Sequence, residues 1–441
     1  MSGLWHLGHQ GRLALAGIVF AVCWWAFQVV PSAYCSMLLI LYFILTGVGT
    51  PEHVLGFWTT PVAWLVIGAF LLAEAVSKSG LAERLSRVLL VPFSTDWPRL
   101  IIGIYLLNGI LALVIPLPFP RAFILMTLVK TIISSDQISA EAESSLGFAV
   151  FASCIPSSMM FLTGEAVLNP VASSFAGDLT WMQWLKMMFI PATVSAVLMI
   201  AAHLKCFGSI MTEQPDDLFA EKKRSSGITM SIEPLDAAEL RTIFWVAAAI
   251  LFWVFDSYHP FHPGWVAAGA AVGLSLPVVG DVLGADDLTY GVEWSTLIFA
   301  TGALAIGTVG TETGLADWIV SMIMPTGSVS QLGLLVGIAV AAFLFHLLIG
   351  SVLATLSMLS APVVMLAAAV NLPTAPAMLL TYTAAVMGFA LPFHNLMLLV
   401  GSGDEGYFTE KETLRFFPYQ TLIAALVMAF QMWWWNAWGY W

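Results

Sequence analysis

Residues 67–85 read "IGAFLLAEAVSKSGLAERL" and residues 301–319 read "TGALAIGTVGTETGLADWI". At a constant offset Gly68 meets Gly302, Ala69 meets Ala303, Ser79 meets Thr313, Gly80-Leu81-Ala82 meets Gly314-Leu315-Ala316, and Glu83 meets Asp317. Chance likeness between apolar segments explains one Gly-Ala match. It does not explain Gly-Leu-Ala followed by an acid in register. The chain is therefore read as a duplication. Internal repeats in a membrane chain point to secondary transporters, with the site at the repeat interface near the bilayer midplane.

Composition places the chain in a membrane. Of its 441 residues 59% are hydrophobic and 10% charged, against about 25% charged in a soluble domain. Mean hydropathy is +0.90. Apolar segments near the roughly 20 residues needed to span fall at about 12–30, 31–50, 62–79, 101–134, 143–175 and 181–204. After a charged segment, 211–241, they resume at about 240–259, 263–281, 292–311, 331–370, 374–403 and 416–436. A net charge of −12 with no basic stripe excludes a nucleic-acid partner. Cys23, Cys35, Cys154 and Cys206 lie in or beside apolar runs without metal or disulfide spacing, so no metal site is expected. The start, "MSGLWHLGHQGRLAL", lacks the parts of a cleaved signal, and the first span is expected to act as the insertion signal. Trp433, Trp434, Trp435, Trp438 and Trp441 read as an interfacial belt.

Lys and Arg set orientation. Lys78, Arg84, Arg87 and Arg99 follow the third span, and Lys205, Lys222, Lys223, Arg224 and Arg241 flank or fill the linker, so both segments are expected on the cytoplasmic side. The segment after Gly314 has no Lys or Arg before the next apolar run and is expected outside. Equivalent segments on opposite sides make the repeats inverted. The amphipathic stretches Leu81–Pro92 and Leu315–Met324 could lie flat on opposite surfaces.

The expected fold is an all-α polytopic membrane protein of two inverted repeats, about five spans each, with re-entrant hairpins. The first repeat covers 1–210, with a hairpin at about 101–134 and a broken helix at about 143–175. A cytoplasmic linker covers 211–239. The second repeat covers 240–441, with a hairpin at about 331–370 and a broken helix at about 374–403. Ten full spans and two hairpins place both termini outside.

The candidate site follows from backbone breaks at membrane depth, which are tolerated only where they are buried in protein or line a cavity. The first hairpin breaks at Pro116, Pro118 and Pro120, and Arg121 stands beside the break. About 13 residues of returning arm put that arginine roughly 20 Å from the inner surface, beyond snorkelling. It is read as the charge that binds a substrate anion, or as a structural arginine on a buried acid or on freed carbonyls. Glu165 lies at similar depth, among Thr163, Gly164, Asn169 and Pro170, in a segment read as an unwound helix. The second half offers Ser351 and Thr355 at its hairpin tip and Pro392, His394 and Asn395 at its broken helix. Arg121, Pro118, Thr163, Gly164, Asn169, Ser351, Thr355 and Asn395 are the candidate substrate-binding residues. Glu165, His394, Ser351 and Asn395 are the candidates for coupling to a proton or sodium ion. An ionised Glu165 is expected to pair with Arg121 when the site is empty. Glu74, Asn108, His346 and Glu312 rank lower, because no backbone break accompanies them.

Three motifs carry a family resemblance: "VIGAFLLAEAVSKSGLAERL" with its repeat, "FLTGEAVLNPVASSFAGDLTWMQWLKMMFIPA" and "NLMLLVGSGDEGYFTEKETLRFFP". Over roughly residues 55–430 the chain resembles the divalent anion:sodium symporter family of the ion-transporter superfamily. The resemblance implies an inverted-repeat homodimer with scaffold and transport domains, an elevator mechanism, and di- or tricarboxylates or sulfate as substrate. The chain departs from the family at the tips. Where the family usually carries Ser-Asn-Thr, the first tip reads Pro116-Leu117-Pro118-Phe119-Pro120-Arg121 and the second Ser351-Val352-Leu353-Ala354-Thr355. The family's Pro-Pro-Asn becomes Ala166-Val167-Leu168-Asn169 and Phe393-His394-Asn395. An arginine replaces the tip that normally helps to hold sodium, which brings protons forward as the coupling ion.

The expected function is therefore secondary transport of a small anion in the cell's inner (plasma) membrane, with no cofactor beyond Na+ or H+ as coupling ion. A cation/proton antiporter or anion efflux carrier of the same superfamily is the alternative. A membrane-embedded enzyme is disfavoured, because no metal quartet, nucleophile elbow or His-Glu motif appears in the spans.

Overall fold

The computed structural model describes residues 7–26, 29–133, 138–212, 234–323, 330–403 and 406–441. Lys222, Lys223 and Arg224 of the linker, residues 134–137 after the first hairpin, and Met324 lie outside the described residues.

Helices are the regular elements among the described residues, joined by turns and short irregular segments. The first half runs α1 (His9–Ala26), α2 (Ser32–Leu45), α3 (Pro51–Val54), α4 (Pro61–Lys78), α5 (Leu81–Leu90), α6 (Trp97–Val114), α7 (Pro118–Ile132), α8 (Ala140–Met160), α9 (Leu168–Phe175) and α10 (Trp181–Thr212). The second runs α11 (Ala237–Val254), α12 (Pro263–Ser275), α13 (Ala285–Tyr290), α14 (Trp294–Glu312), α15 (Leu315–Ile323), α16 (Gln331–Ile349), α17 (Val352–Ala369), α18 (Thr374–Met387), α19 (Leu396–Ser402) and α20 (Glu410–Ala437). The two halves pass through the same order of elements. Among the described residues eight helices are long and apolar enough to cross a membrane: α4, α6, α10, α11, α14, α16, α17 and α20.

Local chemistry sets the breaks. Gly80 and Gly314 both adopt the left-handed conformation, at φ 75° and 69°, and end α4 and α14. That conformation costs glycine nothing because it has no Cβ. Ile115 is forced into an extended conformation, φ −114° and ψ 100°, by Pro116 behind it, and α6 stops there. Pro118 and Pro120 do not prolong the break. They occupy the first turn of α7, where a missing N–H costs little.

The glycine match that exposed the repeat has a packing cause. A Cβ on Gly68 of α4 would come within 2.6 Å of the Ala267 carbonyl carbon on α12. A Cβ on Gly302 of α14 would come within 2.7 Å of the Ser36 Cβ on α2. Each half therefore lends its entering helices to the other half: α1 and α2 pack on α14, and α11 and α12 pack on α4. Side-chain contacts between the halves repeat the exchange, with the acid on the opposite partner. Lys78, ending α4, meets Asp287 of α13 at 2.7 Å, and Glu312, ending α14, meets His53 of α3. Of the terminal tryptophans, Trp433 and Trp438 are exposed, whereas Trp435 is fully buried and donates to the Met187 carbonyl at 3.0 Å, locking α20 onto α10. That residue belongs to the core and not to a belt.

Candidate functional site

The two hairpin tips and the two broken helices meet around one cavity of about 580 Å³. Leu117 and Pro118 contribute the first tip, and Gly350 and Ser351 the second. Glu165 and Val167 come from the turn between α8 and α9, and His394 and Asn395 from the turn between α18 and α19. Tyr382 of α18 and Ser158 of α8 complete the polar floor, and Trp25 and Phe299 close one apolar side.

Of the residues singled out in the sequence, Pro118, Glu165, Ser351, His394 and Asn395 line this cavity, whereas Arg121, Thr163, Gly164, Asn169 and Thr355 stand outside its lining. Arg121 is fully buried. Its Nη1 donates to the Ile115 carbonyl at 2.8 Å and the Gly164 carbonyl at 2.7 Å. Its Nε donates to Asn108 Oδ1 at 3.0 Å and its Nη2 to Ser158 Oγ at 2.9 Å. Both carbonyls are ones that the backbone breaks set free. A buried guanidinium satisfies them with the planar fork that arginine alone offers. Asn108 is held in turn by its amide donating to Ser153 Oγ at 2.8 Å, and by Ser157 Oγ donating to its Oδ1 at 3.1 Å.

The pairing of Glu165 with Arg121 is not formed. Among the described residues Arg121 makes no ion pair, and the Glu165 carboxylate accepts from Val167 N–H at 3.0 Å. The reason is geometric: four protein oxygens already claim the guanidinium, and Glu165 turns toward its own broken helix and the cavity. Asn169 staples that break. Its Nδ2 donates to the Ser158 and Phe161 carbonyls at 2.8 Å each, and its Oδ1 accepts from Tyr382 O–H at 2.5 Å. Thr163 accepts from Trp181 Nε1 at 3.2 Å.

The second half is closed differently. Asn395 Oδ1 accepts from Met397 N–H at 3.0 Å, and Ser351 Oγ from Ala354 N–H at 3.3 Å. His394 Nε2 sits 3.0 Å from the Leu347 carbonyl, while Nδ1 accepts from Leu391 N–H at 3.0 Å with the Leu391 carbonyl at 3.1 Å. His346, which ranked low in the sequence because no break adjoins it, bridges α16, α17 and the second turn. Its Nδ1 lies 3.1 Å from Thr355 Oγ1 and its Nε2 3.0 Å from the His394 carbonyl. Asn108 ranked low for the same reason. Their one sequence signal is polarity inside helices that are otherwise apolar. Tyr382 and Ser158 gave no signal at all.

A polytopic membrane protein, with paired hairpins and paired broken helices converging on one cavity, is the class these features define. A family model described as the sodium:sulfate symporter transmembrane region matches residues 6–441, and the chain belongs to that family. The sodium-dependent dicarboxylate transporter SdcS of Staphylococcus saprophyticus is 22% identical over 419 residues, 88% of this chain and 79% of that protein. Dicarboxylate transporter 1 of Spinacia oleracea chloroplasts is 27% identical over 274 residues, 58% of this chain and 46% of that one. The candidate malate transporter YflS of Bacillus subtilis is 25% identical over 289 residues, 62% of this chain and 58% of that one. The chain thus spans about half the length of the last two relatives. The crystal structure of the Alcanivorax borkumensis YdaH transporter is similar at 13% identity and a TM-score of 0.46, covering 98% of this chain and 99% of that one.

Proposed function

We propose that this protein is a secondary active transporter of small anions, di- or tricarboxylates or sulfate-like oxyanions, in the bacterial plasma membrane. The observation that carries the reading is the convergence of both hairpin tips and both broken-helix turns on one cavity. The two halves act as inverted repeats, the hairpins are re-entrant, and the site moves across the bilayer by an elevator motion within a homodimer. Dicarboxylate transport by the relatives named above supports the substrate class.

The cavity lining holds Glu165 and Glu293 and no Lys or Arg. A dianion entering beside a carboxylate needs compensating positive charge, because an unpaired charge in a low-dielectric site is costly. Protons supply it: a carboxylate beside new negative charge binds a proton more readily. Coupling therefore runs through protons, with Glu165 as one acceptor and sodium not required at the first tip. The same acidic lining favours one competing reading, a cation/proton antiporter. Purified protein in liposomes, loaded with pH or sodium gradients and offered labelled succinate, malate or sulfate, separates the two. Accumulation driven by an inward proton gradient and altered by Glu165→Gln supports anion/proton symport. Uptake driven by sodium alone, with Glu165→Gln matching the parent at every pH, overturns it. Proton release on adding an alkali cation, without anion uptake, establishes the antiporter.

A further inference from the structure

The two hairpin tips are closed by different nitrogen donors on matching carbonyls. In the first half Arg121 Nη1 donates to the carbonyl of Gly164, the last residue of the 3-10 turn Leu162–Gly164. In the second half His346 Nε2 faces the carbonyl of His394, the last residue of the 3-10 turn Pro392–His394, at 3.0 Å. Thr355 stands in the fourth position of α17, as Arg121 does in α7, and Thr355 takes the other His346 nitrogen at 3.1 Å. One tip thus holds a permanent cation. The other holds a side chain that can gain or lose its charge.

Two proton arrangements fit these distances, one charged and one neutral. Thr355 has one hydroxyl proton, and Oγ1 lies 2.8 Å from the Ser351 carbonyl as well as 3.1 Å from His346 Nδ1. A hydroxyl that donates to Ser351 must accept from Nδ1. Nε2 already faces a carbonyl. Both ring nitrogens then carry protons, which is the imidazolium. When the ring is neutral, Nδ1 has only a lone pair to offer, and the Thr355 proton turns to it and leaves the Ser351 carbonyl. Ser351 is the N-cap of α17 and lines the cavity. Proton loss at His346 is thereby transmitted to the hairpin tip by one hydroxyl rotation.

We infer that His346 carries the coupling proton at the second tip, as the titratable counterpart of the fixed charge on Arg121. This rests on the transport reading above and names a residue for it. The titratable group packed against His346 is His394, with ring centroids 6.3 Å apart. α16 itself, α17 and α18 bring no Asp, Glu, Lys or Arg to it. His394 Nδ1 faces both the N–H and the carbonyl of Leu391, at 3.0 and 3.1 Å. His346 is fully buried, but Gly350, Ser351 and His394 on the cavity wall lie next to it, so a proton has a short path.

Two readouts test this on the full-length protein. In the first, ring nitrogen-15 NMR signals of His346, identified by their loss in His346→Gln, are followed between about pH 5 and pH 8. A change from two protonated nitrogens to one is expected. Signals that stay in one neutral form throughout overturn the inference, whether or not any anion is transported. In the second, succinate, malate and sulfate uptake into liposomes is driven by an inward gradient of one pH unit, worth about tenfold in accumulation per coupled proton. The parent is expected to respond. His346→Gln and His346→Arg, the latter a fixed charge, are expected to lose the gradient response whatever their absolute rates, and Thr355→Ser to keep it. A full response in His346→Arg overturns the inference while leaving anion transport established. A parent that takes up none of the three probes removes the transport reading instead, and the NMR titration still decides whether His346 changes charge.

Discussion

Arg121 Nη1 and the Gly164 carbonyl lie 2.7 Å apart across 43 residues of sequence, so that one guanidinium ties the first hairpin to the turn of the first broken helix. The same group also serves Ile115, Asn108 and Ser158. Truncation leaves the Ile115 and Gly164 carbonyls and the Ser158 hydroxyl without this donor, at about 1–3 kcal/mol each before relaxation, against a net stability of about 5–15 kcal/mol for a typical domain. Arg121→Ala is therefore expected to lower the melting temperature in detergent severely, and Arg121→Lys by less, since an ammonium keeps the charge but not the fork. A variant Arg121→Ala that melts with the parent yet no longer binds anions would make this arginine a direct ligand.

The close crossings at Gly68 and Gly302 predict unequal damage. A methyl at Gly302 meets the Ser36 side chain, whereas one at Gly68 meets the backbone of Ala267 and Ala268. Gly302→Ala is expected to cost about 1–3 kcal/mol, as overpacking usually does, and Gly68→Ala more. Ser36→Gly should recover much of the loss in Gly302→Ala and none in Gly68→Ala. Thermal melting of the single and double variants measures this.

Inverted repeats predict opposite labelling at matched positions. Glu83 of α5 and Asp317 of α15 are both exposed and occupy the same place in the two halves. With the exposed Cys23 replaced by serine, a cysteine at Glu83 is expected to react with a membrane-impermeant maleimide only after the membrane is opened. A cysteine at Asp317 is expected to react in intact cells. Labelling of both from the same side contradicts inversion.

The ion pair between Lys78 and Asp287 predicts an acid limb in stability. Partial burial pushes the Asp287 carboxyl up, but the Gly284 N–H and the Lys78 ammonium outweigh it and hold the group below its ordinary value. A depressed carboxylate contributes stability that is present above the unfolded value, about 3.9, and lost as pH falls through the folded one. Asp287→Asn is expected to melt below the parent at neutral pH by a small margin, because half-exposed pairs contribute little. The two melting temperatures should converge below about pH 4.

Much of this architecture was legible in the chain because its signals are local. The matched Gly-Leu-Ala motifs mark helix stops that only a residue without Cβ makes cheaply, and Pro116 marks a break wherever it falls. Apolar runs reveal spans because every backbone polar group must be satisfied within the segment. Glu165, Ser351, His394 and Asn395 are polar residues beside breaks, and they line one cavity together with Pro118. What each polar group does there depends on which atoms from remote segments reach it. Arg121 stood out in the sequence as a charge awaiting an anion, yet the fold surrounds it with carbonyl, amide and hydroxyl oxygens from three segments and leaves it behind the cavity wall. His346 gave only the weak local sign of a polar residue in an apolar helix, because the partners that give it meaning, Thr355 and the His394 carbonyl, lie on other elements. Hydrogen-bond satisfaction in a buried site is a property of the assembled neighbours. The sequence alone determined where the backbone breaks and which residues sit beside the breaks, and only the tertiary structure decided which of those residues face the cavity and which hold it open.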